Sequence, residues 1–93
     1  MRQAGQRVGA MLGASNGVVK FLGFGVYEGD EIPPEETNTL AAALGIPNPK
    51  IKLDNGEVVW GCQCWWGPEE EIKDQLEKYK EKGCVIQEVS MYA

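Results

Sequence analysis

The sequence predicts an α+β fold: a small, mostly antiparallel sheet of about five strands, one long helix in the C-terminal half and one short helix. Three observations carry this. Asn-Gly occurs twice, at Asn16-Gly17 and Asn55-Gly56, each time between apolar alternations that read as paired strands. The run "GPEEEIKDQLEKYKEKG" has one apolar stripe at helical spacing. The run "CVIQEVSMY" alternates again as a last strand. The 93 residues make a single domain, 1–93.

The first hairpin is "RVGAMLGASNGVVKFLGFGVYEG". Asn16-Gly17 supplies the two positive φ angles of a type I′ turn. That turn sets Ser15 opposite Val18 and Leu12 opposite Phe21. One face then carries Val8, Ala10, Leu12, Ala14, Val19, Phe21 and Tyr27. The other carries Met11, Leu22, Phe24 and Val26. Both faces are apolar, so the second strand is expected to be covered on both sides. Gly23 and Gly25 point to a bulge, a bend or a close approach within it.

Residues 28–49 form a linker whose acids and Pro pair interrupt the sheet. Within it "PEETNTLAAALG" predicts a short helix, with Pro34 in its first turn and Gly45 at its C-terminal stop. The second hairpin, "KIKLDNGEVVWGCQCWW", is again read with a type I′ turn. It pairs Asp54 with Glu57, Leu53 with Val58 and Ile51 with Trp60. Ile51, Leu53, Val58, Trp60, Cys62, Cys64 and Trp66 then share a core face. Lys52, Val59, Gly61, Gln63 and Trp65 share the other, and "EVVWGCQCWWGP" becomes one central strand. The long helix follows. Pro68 opens it, Glu69, Glu70 and Glu71 complement its N-terminal dipole, and Lys78, Lys80 and Lys82 its C-terminal one. Ile72, Leu76 and Tyr79 form its apolar stripe, and Gly83 ends it.

Net charge is −5, from 14 acidic and 9 basic residues. Residues 21–49 hold Glu28, Asp30, Glu31, Glu35 and Glu36 and no base. This balance opposes non-specific nucleic-acid binding, which needs clustered Lys and Arg. Arg2, Arg7 and Lys20 make one small basic spot, read as solvated charge. No apolar run reaches transmembrane length, and no apolar segment of the signal-peptide kind follows Arg2. Three cysteines, Cys62, Cys64 and Cys84, fit no complete disulfide framework. A cytoplasmic protein with free thiols and no membrane partner is expected.

The chemistry follows from what is missing. There is no histidine, so the commonest general base is lacking. The three cysteines lack a fourth ligand and the usual zinc spacing, so neither a metal nor any other cofactor is expected. A Cys-x-Cys pair on a strand is poorly shaped for a disulfide or a thioredoxin-type site. A short acidic run of Glu28, Asp30 and Glu31 is a weak divalent-cation signal. "GFGVYEG" lacks the spacing of a phosphate loop. Binding is better supported. Trp65 lies opposite the presumed core, and Gly25 clears space beside Tyr27. Gln63 adds an amide, so Trp65, Gln63, Tyr27 and Gly25 form the candidate binding site. The rival reading buries Trp65 under the helix; a third places it in a homo-oligomer seam.

The runs "GFGVYEGD" and "NPKIKLDNGEVVWGCQCWWGP" resemble small hypothetical proteins of bacteriophages and prophage-bearing bacteria. The resemblance covers residues 8 to about 73. It implies a phage or bacterial cytoplasmic setting and transfers no activity and no site residue. The function expected is therefore a non-enzymatic binding module, an accessory protein acting on a host protein. The alternatives are a homo-oligomer that binds or sequesters a nucleotide-like signal, and a small carboxylate- or metal-dependent enzyme using Glu28, Asp30 or Asp54. Core and site separate by substitution. Trp60→Ala is expected to lower stability by about 3–5 kcal/mol in urea unfolding. Trp65→Ala should cost less stability and more binding.

Overall fold

A computed structural model describes residues 3–92. The strands are β1 (Arg7–Ser15), β2 (Val18–Glu31), β3 (Asn48–Leu53), β4 (Val58–Trp60), β5 (Trp65–Pro68) and β6 (Val85–Glu88). A 3-10 turn (Glu35–Thr37) and helix α1 (Leu40–Leu44) lie between β2 and β3, and helix α2 (Glu69–Glu81) lies between β5 and β6. The sheet runs β4-β3-β2-β1-β5, all antiparallel. β6 joins the first part of β2 in parallel. The fold is the α+β arrangement expected, with a sixth strand.

β2 is the spine. One edge pairs with β1; the other takes β6 at Val18–Phe21 and β3 from Gly25 onward. At Gly25 the neighbouring backbone comes so close that a Cβ would stand 2.2 Å from the Lys52 carbonyl oxygen. Glycine is required there by space, its φ being ordinary for a strand.

The first turn forms as its sequence dictates, with Asn16 at φ 54° and Gly17 at φ 76°. Ser15 faces Val18. Further along, Met11 rather than Leu12 faces Phe21, leaving Leu12 and Leu22 each as an extra residue in its strand. These bulges, with Gly23 at φ 137°, reverse the alternation. The expected face is thus divided. Val8, Ala10 and Tyr27 join Leu22, Ile51, Leu53 and Val59 inside the curl of the sheet. Val19 and Phe21 join Met11 beneath α2, against Ile72 and Leu76. Gly9 permits this packing, since a Cβ there would lie 2.8 Å from Ile72.

The predicted short helix is divided too. Asn38 takes a left-handed φ of 53°, which separates the 3-10 turn from α1. Pro34, expected in the first turn of the helix, precedes the 3-10 turn instead, and Thr39 caps α1 by accepting from the Ala42 amide. The poor helix formers Thr37, Asn38 and Thr39 become the break. Gly45 ends α1 with φ 67°. α2 follows its sequence closely, with Pro68 as its cap and Ile72 and Leu76 buried.

The second hairpin corrects the predicted register by one residue. Lys50 faces Trp60, Ile51 faces Val59 and Lys52 faces Val58. Gly56 donates to the Leu53 carbonyl at 2.9 Å, and Gly56 alone in the loop has positive φ, 93°. This is a three-residue loop with glycine at its left-handed position. Asn55 keeps an ordinary φ, and its side chain accepts from the Glu57 amide at 2.9 Å. The shift exchanges the faces of β4. Val59 enters the core, fully buried, while Val58 and Trp60 turn outward. Trp60 is still covered, at 4% exposure, in a cleft edged by Ile32, Pro34, Lys50 and Tyr92.

The stretch "EVVWGCQCWWGP" is therefore two strands at opposite ends of the sheet order, joined by a turn at 61–64. The sheet curls until these ends meet: a Cβ on Gly61 would lie 2.9 Å from Trp66 Nε1. Val89 and Met91, after β6, pack against the same interior. Gly25→Ala is expected to destabilise by about 3 kcal/mol or more, because a backbone oxygen cannot yield. Gly67→Ala meets only ordinary contacts at 3.7 Å and beyond. It should cost less than about 1 kcal/mol, and urea midpoints compare the two.

Candidate functional site

The sequence placed Trp65, Gln63, Tyr27 and Gly25 together, and the structure does not. Trp65 stands on β5 opposite Met11, 67% exposed. Gln63 is used by the turn, its Oε1 accepting from the Trp60 amide at 3.0 Å. Gly25 is closed over by β3. Tyr27 belongs to a site, but its aromatic partner is Trp66. Their rings stack at 5.5 Å with an interplanar angle of 21°.

The cleft beside this pair has a volume of about 700 Å³. Gln6, Asp30, Gly67, Pro68 and Glu71 complete its lining. Four segments converge there. The residues preceding β1 run alongside Tyr27, whose amide donates to the Gln6 carbonyl at 3.0 Å. The far end of β2 supplies Tyr27 and Asp30, and the Tyr27 hydroxyl donates to Asp30 at 2.5 Å. This fixes both the ring and the carboxylate. β5 supplies Trp66, and the first turn of α2 supplies Glu71. Tyr27 is buried, at 7% exposure, and Trp66 partly buried.

The surrounding charges are apportioned by ion pairs. Arg7 makes a bidentate contact with Asp54, both bonds 2.8 Å, and a third with Glu69 at 3.0 Å. It ties β1 to the β3–β4 loop and to the start of α2. The Arg7 guanidinium holds the Asp54 carboxyl below the usual carboxylate range, and the same bonds hold Arg7 strongly protonated. Lys50 lies 3.9 Å from Glu28 and 3.5 Å from Glu31. The acids named as enzyme or cation-site candidates are thus divided. Glu28 and Glu31 lean to Lys50, Asp30 to Tyr27 and Asp54 to Arg7. Arg2 of the small basic spot lies outside the described residues.

The thiols differ in environment. Cys64 donates to the Trp60 carbonyl at 3.4 Å. Burial first, and the neighbouring Cys62 second, push its pKa up to about 12. Cys62 is exposed and Cys84 intermediate; neither Cys62 nor Cys64 is in a disulfide. Among the described residues, no group of three or more Cys, Asp or Glu side chains is arranged to hold a metal ion. No described helix is long and apolar enough to cross a membrane.

Sequence reasoning names Asp30 only as a cation-site or enzyme candidate and does not place Trp66, Gln6 or Glu71 in a site. Trp66 packs against the core as expected, but the curl that brings β5 to the end of β2 has no local signature. The one available signal was "YEGD", where Gly29 at φ 97° lets Asp30 turn back to the Tyr27 hydroxyl. Comparison with known proteins finds no matching family model, no curated relative and no similar solved structure.

Alkylation of the folded protein at about pH 8 should modify Cys62 first and Cys64 only on unfolding, because the thiolate is the nucleophile. Peptide mass spectrometry reads the order. Equal labelling of both would contradict the burial of Cys64.

Proposed function

We propose that the protein is a non-enzymatic binding module whose ligand enters the cleft beside Tyr27 and Trp66. The observation that carries this is the stacked pair, held by the Tyr27–Asp30 hydrogen bond and set in a cleft large enough for a small ligand or a side chain. An accessory role toward a host protein, in the phage or prophage setting that the sequence resemblance implies, belongs to the same proposal.

The two alternatives fare differently. A nucleotide-like ligand finds an aromatic surface here, but its phosphates would face Asp30 and Glu71. A carboxylate enzyme would need Glu28, Asp30 and Asp54 to converge, and each is engaged by a different neighbour.

Native mass spectrometry of the protein purified without denaturation tests the reading, and it counts subunits as well. Wild type and Trp65→Ala are expected to retain an added mass or partner chain that Trp66→Ala loses while remaining folded. Identical retention by Trp66→Ala would sink the assignment of this cleft.

A further inference from the structure

We infer that the cleft over Trp60 is a second binding site, shaped for an extended proline-rich peptide that carries a basic residue. It shares no lining residue with the cleft beside Tyr27 and Trp66, so it stands apart from the reading of that site.

The indole gives the first reason. Trp60 is 4% exposed and lines a cleft of about 550 Å³. Its Nε1 donates to no described residue. Among the described residues, the one fully enclosed side-chain N or O atom without a partner is Glu57 Oε1. The Trp60 N–H is therefore not sealed in, and the cleft is where this side chain meets the surface. A nearly buried donor without an acceptor calls for one from outside.

The edge of β4 gives the second. A peptide added to the sheet as a strand needs free backbone groups on β4, and these are taken. The Val58 carbonyl accepts from the Tyr92 hydroxyl at 2.6 Å. The Trp60 amide donates to Gln63 Oε1 at 3.0 Å, and the Trp60 carbonyl accepts from the Gln63 amide at 2.8 Å. The occupant must enter without a strand ladder. A polyproline II segment does so. Its carbonyls are free acceptors, its prolines bring no N–H that needs a partner, and its form is largely set before binding. Tyr92, Ile32 and Pro34 offer apolar walls to the pyrrolidine rings.

Charge gives the third. Lys50 on the rim is matched by Glu28 at 3.9 Å and Glu31 at 3.5 Å. Glu36, exposed on the same rim, makes no ion pair among the described residues. The uncompensated charge is negative and suits an arginine or lysine beside the prolines. An anion would meet Glu31 and Glu36 instead, and a plain hydrocarbon would leave the indole N–H unmet.

The test is an NMR titration of the full chain, read at the Trp60 indole N–H with the Trp66 indole as internal control. The probe is an acetylated, amidated peptide of six prolines ending in arginine. One control replaces the arginine by glutamate; the other replaces the prolines by alternating glycine and serine. The probe is expected to shift the Trp60 signal saturably and leave that of Trp66 in place. The glutamate control should bind about three- to fivefold more weakly, and Glu36→Gln should remove most of that difference. Trp60→Phe keeps a ring, removes the N–H and should bind about tenfold more weakly. Glu36 is exposed, so Glu36→Gln carries the comparison should Trp60→Phe fail to fold. Equal affinity of wild type for either control overturns the assignment. So does a shift at Trp66 in place of Trp60, or no saturable shift up to about 10 mM peptide, which is weaker than a specific site.

Discussion

The turn at residues 61–64 constrains everything else. It joins β4 and β5, which stand at opposite ends of a five-strand path. In a flat sheet those strands would be about 19 Å apart, at about 4.8 Å per step. Five residue steps span about 17 Å even when fully extended. Here they are folded back, with the Gln63 amide donating to the Trp60 carbonyl at 2.8 Å. The sheet must curl. Once it does, one face closes on itself around Ile51 and Val59, and only the other remains for α2. A chain of this size, with a thin core, thereby obtains two apolar layers from one sheet.

Glycines make the curl feasible at particular places. Gly25 lets β3 cross tightly over β2, Gly9 admits Ile72, and Gly61 receives Trp66. Each removes a Cβ where two elements meet. The ion pairs then fasten what the curl brings together, since Arg7 joins the outer ends of β1, the β3–β4 loop and α2. These pairs are solvent-exposed, so their contribution is orientation more than energy.

Most elements were legible in the sequence; their facing, and the break of "EVVWGCQCWWGP" into two strands, were not. Asn16-Gly17, Pro68 and the Ile72–Leu76 stripe act locally, and local chemistry decided them. Facing depends on parity, and one unpaired residue inverts it. Leu12 and Leu22 are leucines like any other, and nothing in their identity marks a bulge. Asn55-Gly56 offers two hairpin loops, and the longer one placed Val59 inside, where its neighbours Ile51 and Leu53 could enclose it. The site was half legible for the same reason. Tyr27 could be found from its strand, but its partner comes from a segment 39 positions onward, brought back by the curl. Trp65 and Trp66 differ by a single step in parity. The reading chose the exposed one and missed the one that stacks.

Closure also bears on how this chain meets other copies of itself. A sheet normally ends in two strands whose outer N–H and C=O groups can recruit a stranger, the route by which edge-to-edge aggregation begins. Here the last strands on the five-strand path are short and turned toward one another. β5 stops at Pro68, which has no N–H to offer. Pro49 occupies the Gly61 end of β3 and withholds another. Other copies of the chain therefore find little template at the two ends of this five-strand path, and "EVVWGCQCWWGP" is folded into the seam between them.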